Sequence, residues 1–121
     1  MANKKTLVLG ASANPSRYSY LALNALQSKG HDVTAIGKRT GKVGNVEIET
    51  KEKDINDLNT VTLYLNPFNQ KQYYDYILSL HPKRIIFNPG AENEELFSLA
   101  KENGILPQEA CTLVLLSTGQ Y

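Results

Sequence analysis

Apolar positions along this chain follow two periods in alternation. Residues 6–9, TLVL, form an unbroken apolar run ended by Gly10, as in a strand buried on both faces of a parallel sheet. Over residues 17–29 the apolar positions Tyr18, Leu21, Ala22, Ala25 and Leu26 instead recur at spacings of three and four, and Gly30 closes the segment as a C-cap would. Residues 31–37 return to a short strand pattern. Strand, helix and strand together fill the roughly 30 residues of a βαβ unit, for which a right-handed crossover is expected.

The same alternation continues downstream. Val43, Val46 and Ile48 alternate within a Gly- and Lys-rich stretch, which is compatible with a short third strand or an extended loop. Residues 60–65, TVTLYL, are strongly β-prone, and Asn66-Pro67 ends the run in a form suited to a first helical turn. A helix marked by Tyr73, Ile77 and Leu80 then reaches His81-Pro82, where proline breaks it. Residues 84–87 give the next strand, ended by Asn88-Pro89-Gly90. A helix is expected from about residue 92 to 103, with Leu96, Phe97, Leu99 and Ala100 inward and Gly104 beyond its end. Residues 105–109 suit a last strand, while periodicity leaves 110–117 open between a short helix and a continued strand. Strands alternating with helices predict an α/β fold with a doubly wound, mostly parallel sheet and helices on both faces.

Length and composition narrow the class. The 121 residues, 41% hydrophobic and 21% charged, suit a single domain over 1–121. No run approaches the ~20 apolar residues of a membrane span, and the segment after Lys4-Lys5 is too short for a signal peptide, so a cytoplasmic protein without a membrane partner is expected. The one cysteine, Cys111, cannot form an internal disulfide, and two distant histidines make a poor zinc set. Charge is uneven. Residues 1–53 hold nine Lys/Arg against four Asp/Glu, and residues 54–121 hold four against eight, so +5 faces −4. Such a split suits an anionic ligand on the first half and lacks the broad basic stripe of a nucleic-acid face. Scatter over a solvated surface is the plainer reading of the same count.

In a doubly wound sheet, ligands sit outside the carboxyl ends of the strands, which gathers four turns on one rim: 10–17, 37–39, 66–68 and 88–90. In the first, Gly10 permits a tight turn, Ala11 and Ser12 follow it, Asn14 and Pro15 shape the loop, and Arg17 precedes Tyr18 at the start of the helix. Backbone amides at such a helix start bind phosphate, and Ser12 and Arg17 add a hydroxyl and a guanidinium. The complete Gly-x-Gly-x-x-Gly fingerprint is missing, so the turn is equally compatible with a plain strand-to-helix connection. After the second strand stand Gly37, Lys38 and Arg39, where a nicotinamide cofactor without a 2′-phosphate would require an acid. Two cations favour a phosphorylated ribose, as in NADP or coenzyme A, or else form a solvated basic loop that Lys42 could join. Asn66 and Phe68 on the third turn, and Asn88, Pro89 and Gly90 on the fourth, complete the candidate rim. The tyrosines suit packing at sheet–helix seams, and His31 and His81 fall at element boundaries where surface exposure is expected. No triad, carboxylate pair or metal cluster is legible, so catalysis is left open and a binding module is favoured.

The residues VLGAS with NPSRYS, the Lys38 loop with Gly44 and Val46 beyond it, PGAENEE at 89–95, and a late cysteine at Cys111 resemble the small single-domain CoA-binding proteins. That Rossmann-like family is related to the CoA-binding domain of the succinyl-CoA synthetase alpha subunit. The likeness spans nearly the whole chain. It implies binding of CoA or acyl-CoA, with the pyrophosphate at Gly10–Ser12 and the 3′-phosphate near Lys38. The family's Asn-Pro-Lys after the second strand appears here as Ile36-Gly37-Lys38, and its Gln-x-Gly before the last long helix appears as Asn88-Pro89-Gly90. No histidine matches the synthetase's phosphohistidine loop. Two other functions fit the residues: an NADP-binding enzyme or fragment, and a regulatory subunit with a vestigial site. The 111–116 segment is the candidate interface of a homodimer.

Overall fold

The computed structural model describes residues 3–121. In chain order the elements are β1 (Thr6–Leu9), α1 (Tyr18–Ser28), β2 (Val33–Ile36), β3 (Gly41–Val43), β4 (Val46–Glu49) and β5 (Thr60–Leu63). There follow α2 (Pro67–Gln70), a 3-10 turn at Lys71–Tyr73, α3 (Tyr74–Leu80), β6 (Arg84–Phe87), α4 (Glu94–Glu102), β7 (Leu106–Glu109) and α5 (Thr112–Ser117). They build one seven-stranded sheet in the order β3-β4-β2-β1-β5-β6-β7, parallel throughout except for β3. Counting only the parallel strands, this is the order 3-2-1-4-5-6 of dinucleotide-binding folds, with its switch point between β1 and β5.

The central strands β1, β5 and β6 are buried at every position because both faces are covered. Leu7, Leu9, Val61, Leu63, Ile85 and Phe87 pack with Ile77 of α3 and with Leu96 and Ala100 of α4. The intervening positions Val8, Ala35 and Ile86 pack with Leu23 and Leu26 of α1 and Leu115 and Leu116 of α5. No helix among the described residues is long and apolar enough to cross a membrane.

Two segments differ from the pattern read along the chain, and a third that it left open is decided. Residues 41–49 form an antiparallel hairpin in place of one loose strand, with Val43 opposite Val46 across Gly44-Asn45. Gly44 has φ +61° and Asn45 has no positive φ, the arrangement of a type II′ turn. The helix expected from 66 to 80 is interrupted: Gln70, fully buried, donates from Nε2 to the carbonyls of Leu65 and Ala91, and the chain tightens into its 3-10 turn before α3. Residues 112–117 are a helix, whose first amide donates to Asn88 Oδ1 at 2.9 Å.

His31 is buried rather than exposed, because Tyr121 folds back beneath the sheet. The two rings lie 5.0 Å apart, Lys4 N donates to His31 Nδ1 at 2.9 Å, and Nε2 has no partner among the described residues. Burial first, then the Lys4 and Arg84 charges, hold the imidazole below its ordinary value of 6.5. The unfolded chain therefore protonates His31 more readily than the folded one. Its contribution to stability is complete above pH 6.5 and is lost as pH falls below that value, until the folded imidazole titrates too. Urea unfolding from pH 7.5 to 5 is expected to show this loss, and His31→Gln to flatten it. An equal slope in the variant would refute the assignment.

Candidate functional site

The site grows from three glycines that hold the β1–α1 turn against its neighbours. Gly10, at φ +87°, lies so close to β5 that a Cβ would stand 2.7 Å from the Tyr64 carbonyl oxygen. Its amide and that of Ala11 both donate to Ile36 O at 3.0 Å. The Ala11 carbonyl in turn rests on Gly37, where a Cβ would lie 2.1 Å from that oxygen, and a Cβ on Gly41 would be 2.9 Å from Ala13 Cβ. Removal of these side chains is what lets the turn lie in the seam between β5 and β2.

Beyond the seam the loop braces itself and leaves the helix end open. Asn14 N donates to Ser12 Oγ at 3.1 Å, Ser16 N and Oγ donate to Asn14 Oδ1 at 3.0 and 2.9 Å, and Arg17 N donates to Asn14 O at 3.0 Å. The α1 N-cap residue, Arg17, is extended and makes no side-chain cap bond, and the first turn carries no acid. The amides of Ser12, Ala13, Tyr18 and Ser19 are thus without a partner among the described residues. The starts of α2 and α4 are closed instead. Asn66 Oδ1 caps α2 through Asn69 N, and Asn93 Oδ1 caps α4 through Glu95 N and Leu96 N, with Glu94 and Glu95 in its first turn. Among these helices, α1 alone presents an uncapped, acid-free, electropositive end.

Three cations adjoin the residues that build this turn. Arg17 precedes it, and Lys38 and Arg39 leave the end of β2 immediately after Gly37. All three are exposed, and none makes an ion pair among the described residues. Tyr18 is 72% exposed at the lip of α1, and Phe68 on α2 is 80% exposed. Pro15 is exposed in the loop that leads into α1.

The remaining candidate turn is differently engaged. Asn88, buried after β6, donates from Nδ2 to Thr62 Oγ1 and Leu63 O at 2.7 and 2.9 Å, while its Oδ1 accepts from Thr112 N. Pro89 has no amide hydrogen, and the Gly90 amide donates to Glu92 Oε1 at 2.8 Å. The Gly90 amide of this turn is therefore engaged, and β5 separates the turn from β1. Cys111 is half-buried just before α5.

Two side chains that the sequence did not single out organise the turns around the site, one on the rim and one at the far end of the β3–β4 hairpin. Gln70 joins the turns after β5 and β6 through Leu65 O and Ala91 O, and accepts from Asn93 Nδ2, which also donates to the Tyr74 hydroxyl at 2.7 Å. Gln27 on α1 holds the β3–β4 turn. Tyr64, behind Gly10, has a buried hydroxyl without a partner among the described residues, and burial pushes its pKa up.

The strand order, the helices on both faces and the glycine-lined turn at the β1/β5 switch point define a Rossmann-like α/β protein. The chain belongs to the CoA-binding domain family, whose model matches residues 4–117. It is similar over its whole length to the crystal structure of an uncharacterized protein, at 51% identity, full coverage of both chains and a TM-score of 0.97. It also shares the fold of a hypothetical protein from Pyrococcus horikoshii OT3 at 23% identity, covering 96% of this chain and 83% of that one with a TM-score of 0.85. The structure of cell-free ID.343 from Thermus thermophilus is similar in fold at 20% identity, covering 98% and 91%, with a TM-score of 0.83. No curated protein matches the chain.

Proposed function

We propose that this protein is a cytoplasmic, single-domain binding module for coenzyme A or an acyl-CoA. The observation that carries the reading is the open end of α1: four partnerless amides, the Ser12 hydroxyl and Arg17, with no acid to repel a pyrophosphate. Because Ser12 Oγ already accepts from Asn14 N, its own hydrogen is available to a phosphate oxygen. Gly10 and Ala11 supply the shape of the cradle, and the donors come from Ser12, Ala13 and the first turn of α1. Lys38 and Arg39 meet the 3′-phosphate, and exposed Tyr18 and Phe68 offer aromatic faces to the rest of the ligand. A ribose 2′-phosphate would suit the same two cations, so NADPH is the natural competitor. The family match favours CoA.

Calorimetric titration with CoA, 3′-dephospho-CoA and NADPH tests this reading. CoA is expected to bind most tightly. Replacing both Lys38 and Arg39 by alanine is expected to weaken CoA binding roughly 10- to 100-fold while leaving dephospho-CoA nearly unchanged. The unfolding midpoint should hold, since both side chains are exposed and unpaired. Equal losses for both ligands would remove the 3′-phosphate assignment.

A further inference from the structure

We infer that Gln27 is a positioning residue that sets the discrimination between 3′-phosphorylated and dephosphorylated nucleotide, although it lies at the opposite end of the hairpin from the cations that touch the phosphate. The inference rests on the CoA reading above and adds to it the means by which Lys38 and Arg39 are held in place. Those two residues belong to a short connection: Gly37 closes β2, and the chain enters β3 at Gly41. Their placement therefore depends on how the β3–β4 hairpin is docked.

The docking is thin along the sheet. β4 pairs with β2 through only Ala35↔Ile48 and Ile36↔Glu49, and β3 pairs with nothing but β4. At the basic loop itself Gly37 N donates to Glu49 O at 2.9 Å, and Gln27 supplies a polar tie at the far end of the hairpin. Its Nε2 donates to Val43 O at 2.9 Å and to Leu23 O within its own helix at 3.0 Å, while its Oε1 accepts from Asn45 N at 2.9 Å. One amide thereby grips both sides of the II′ turn and is itself held in orientation by α1. The turn is shaped around it, since a Cβ on Gly44 would lie 2.6 Å from Gln27 Oε1. At the other end of β3, a Cβ on Gly41 would press on Ala13 of the phosphate turn, 2.9 Å away. The hairpin is thus clasped to α1 at its tip and seated on the α1 entry loop at its base. The helix whose open end faces the pyrophosphate also fixes the basic loop, which keeps the two phosphate-binding parts at a constant separation. Pre-organised cations lose less freedom on meeting a phosphate than mobile ones, so loosening the clasp should weaken the 3′-phosphate contact and spare the pyrophosphate contact.

The test compares affinities for CoA and 3′-dephospho-CoA in the wild type and in Gln27→Met, which keeps the length of the side chain and removes its three hydrogen bonds. The wild type is expected to prefer CoA by about tenfold or more, and Gln27→Met to fall below about threefold by weaker CoA binding alone. Should Gln27→Met not fold, Gly44→Ala displaces the same amide from the other side and is expected to give the same reduced ratio. A purely structural role would weaken both ligands together and leave the ratio intact, and that result overturns the inference while the CoA reading stands. Failure of the wild type to bind CoA, or to prefer it, overturns the CoA reading and this inference with it.

Discussion

Gly37→Ala is expected to lower stability by about 2–3 kcal/mol and to abolish measurable CoA binding. Gly37 has no positive φ, so its backbone would accept alanine; the conflict is steric. The added Cβ would stand 2.1 Å from the Ala11 carbonyl oxygen, closer than any non-bonded pair tolerates, and the obstacle is main chain that cannot rotate away. Relief requires the β1–α1 turn to lift from β2. That movement breaks the hydrogen bonds of Gly10 N and Ala11 N to Ile36 O and displaces Ser12 and Ala13 from the open end of α1. Gly30→Ala is the matched control. Gly30 has φ +81° but nothing within 4 Å of an added Cβ, so it should lose only about 1 kcal/mol to backbone strain and bind normally. Chemical denaturation and titration of the two variants side by side separate the effects. Equal stability and equal binding in both would contradict the seam described for Gly37.

Asn88→Ala should produce the opposite profile, a large loss of stability with little change in affinity. Its side chain is buried and makes three hydrogen bonds, to Thr62 Oγ1, Leu63 O and Thr112 N, which join β5, β6 and the start of α5. Truncation strands the Leu63 carbonyl and the Thr112 amide in a dry environment, at a cost of about 2–4 kcal/mol. The protein that remains folded should bind CoA within about threefold of wild type, because Asn88 has no free group to offer a ligand. A stable variant with weak binding would show instead that Asn88 belongs to the ligand contact.

Most of the architecture was legible along the chain because its determinants are local. The apolar runs of β1, β5 and β6 and the three-and-four spacing of α1 name their own periods, and Gly30, Pro82 and Gly104 punctuate them. The hairpin at 41–49 was less legible, since the turn at Gly44-Asn45 is set as much by the grip of Gln27 as by its own residues. Periodicity could not decide α5; a hydrogen bond from Thr112 to Asn88, 24 residues distant, starts it.

The candidate site shows the same boundary between local and long-range causes. Glycine, serine and the cations could be named from composition and position. Which amides are free could not, because that depends on Ile36 O meeting Gly10 and Ala11 across the sheet and on Glu92 reaching back to Gly90. His31 looked like a surface residue for a similar reason: Tyr121, at the far end of the sequence, buries it.

Coenzyme A binding at the open end of α1 and the adjoining basic loop is the central claim. Amide chemical shifts of the isotopically labelled protein, followed during CoA titration, test ligand and location together. Saturable shifts are expected to concentrate at Ser12, Ala13, Tyr18, Ser19 and Gly37–Arg39, with Gly90 and the His31–Tyr121 end of the sheet unmoved. No shifts at millimolar CoA, or saturable shifts confined to another face, would contradict it.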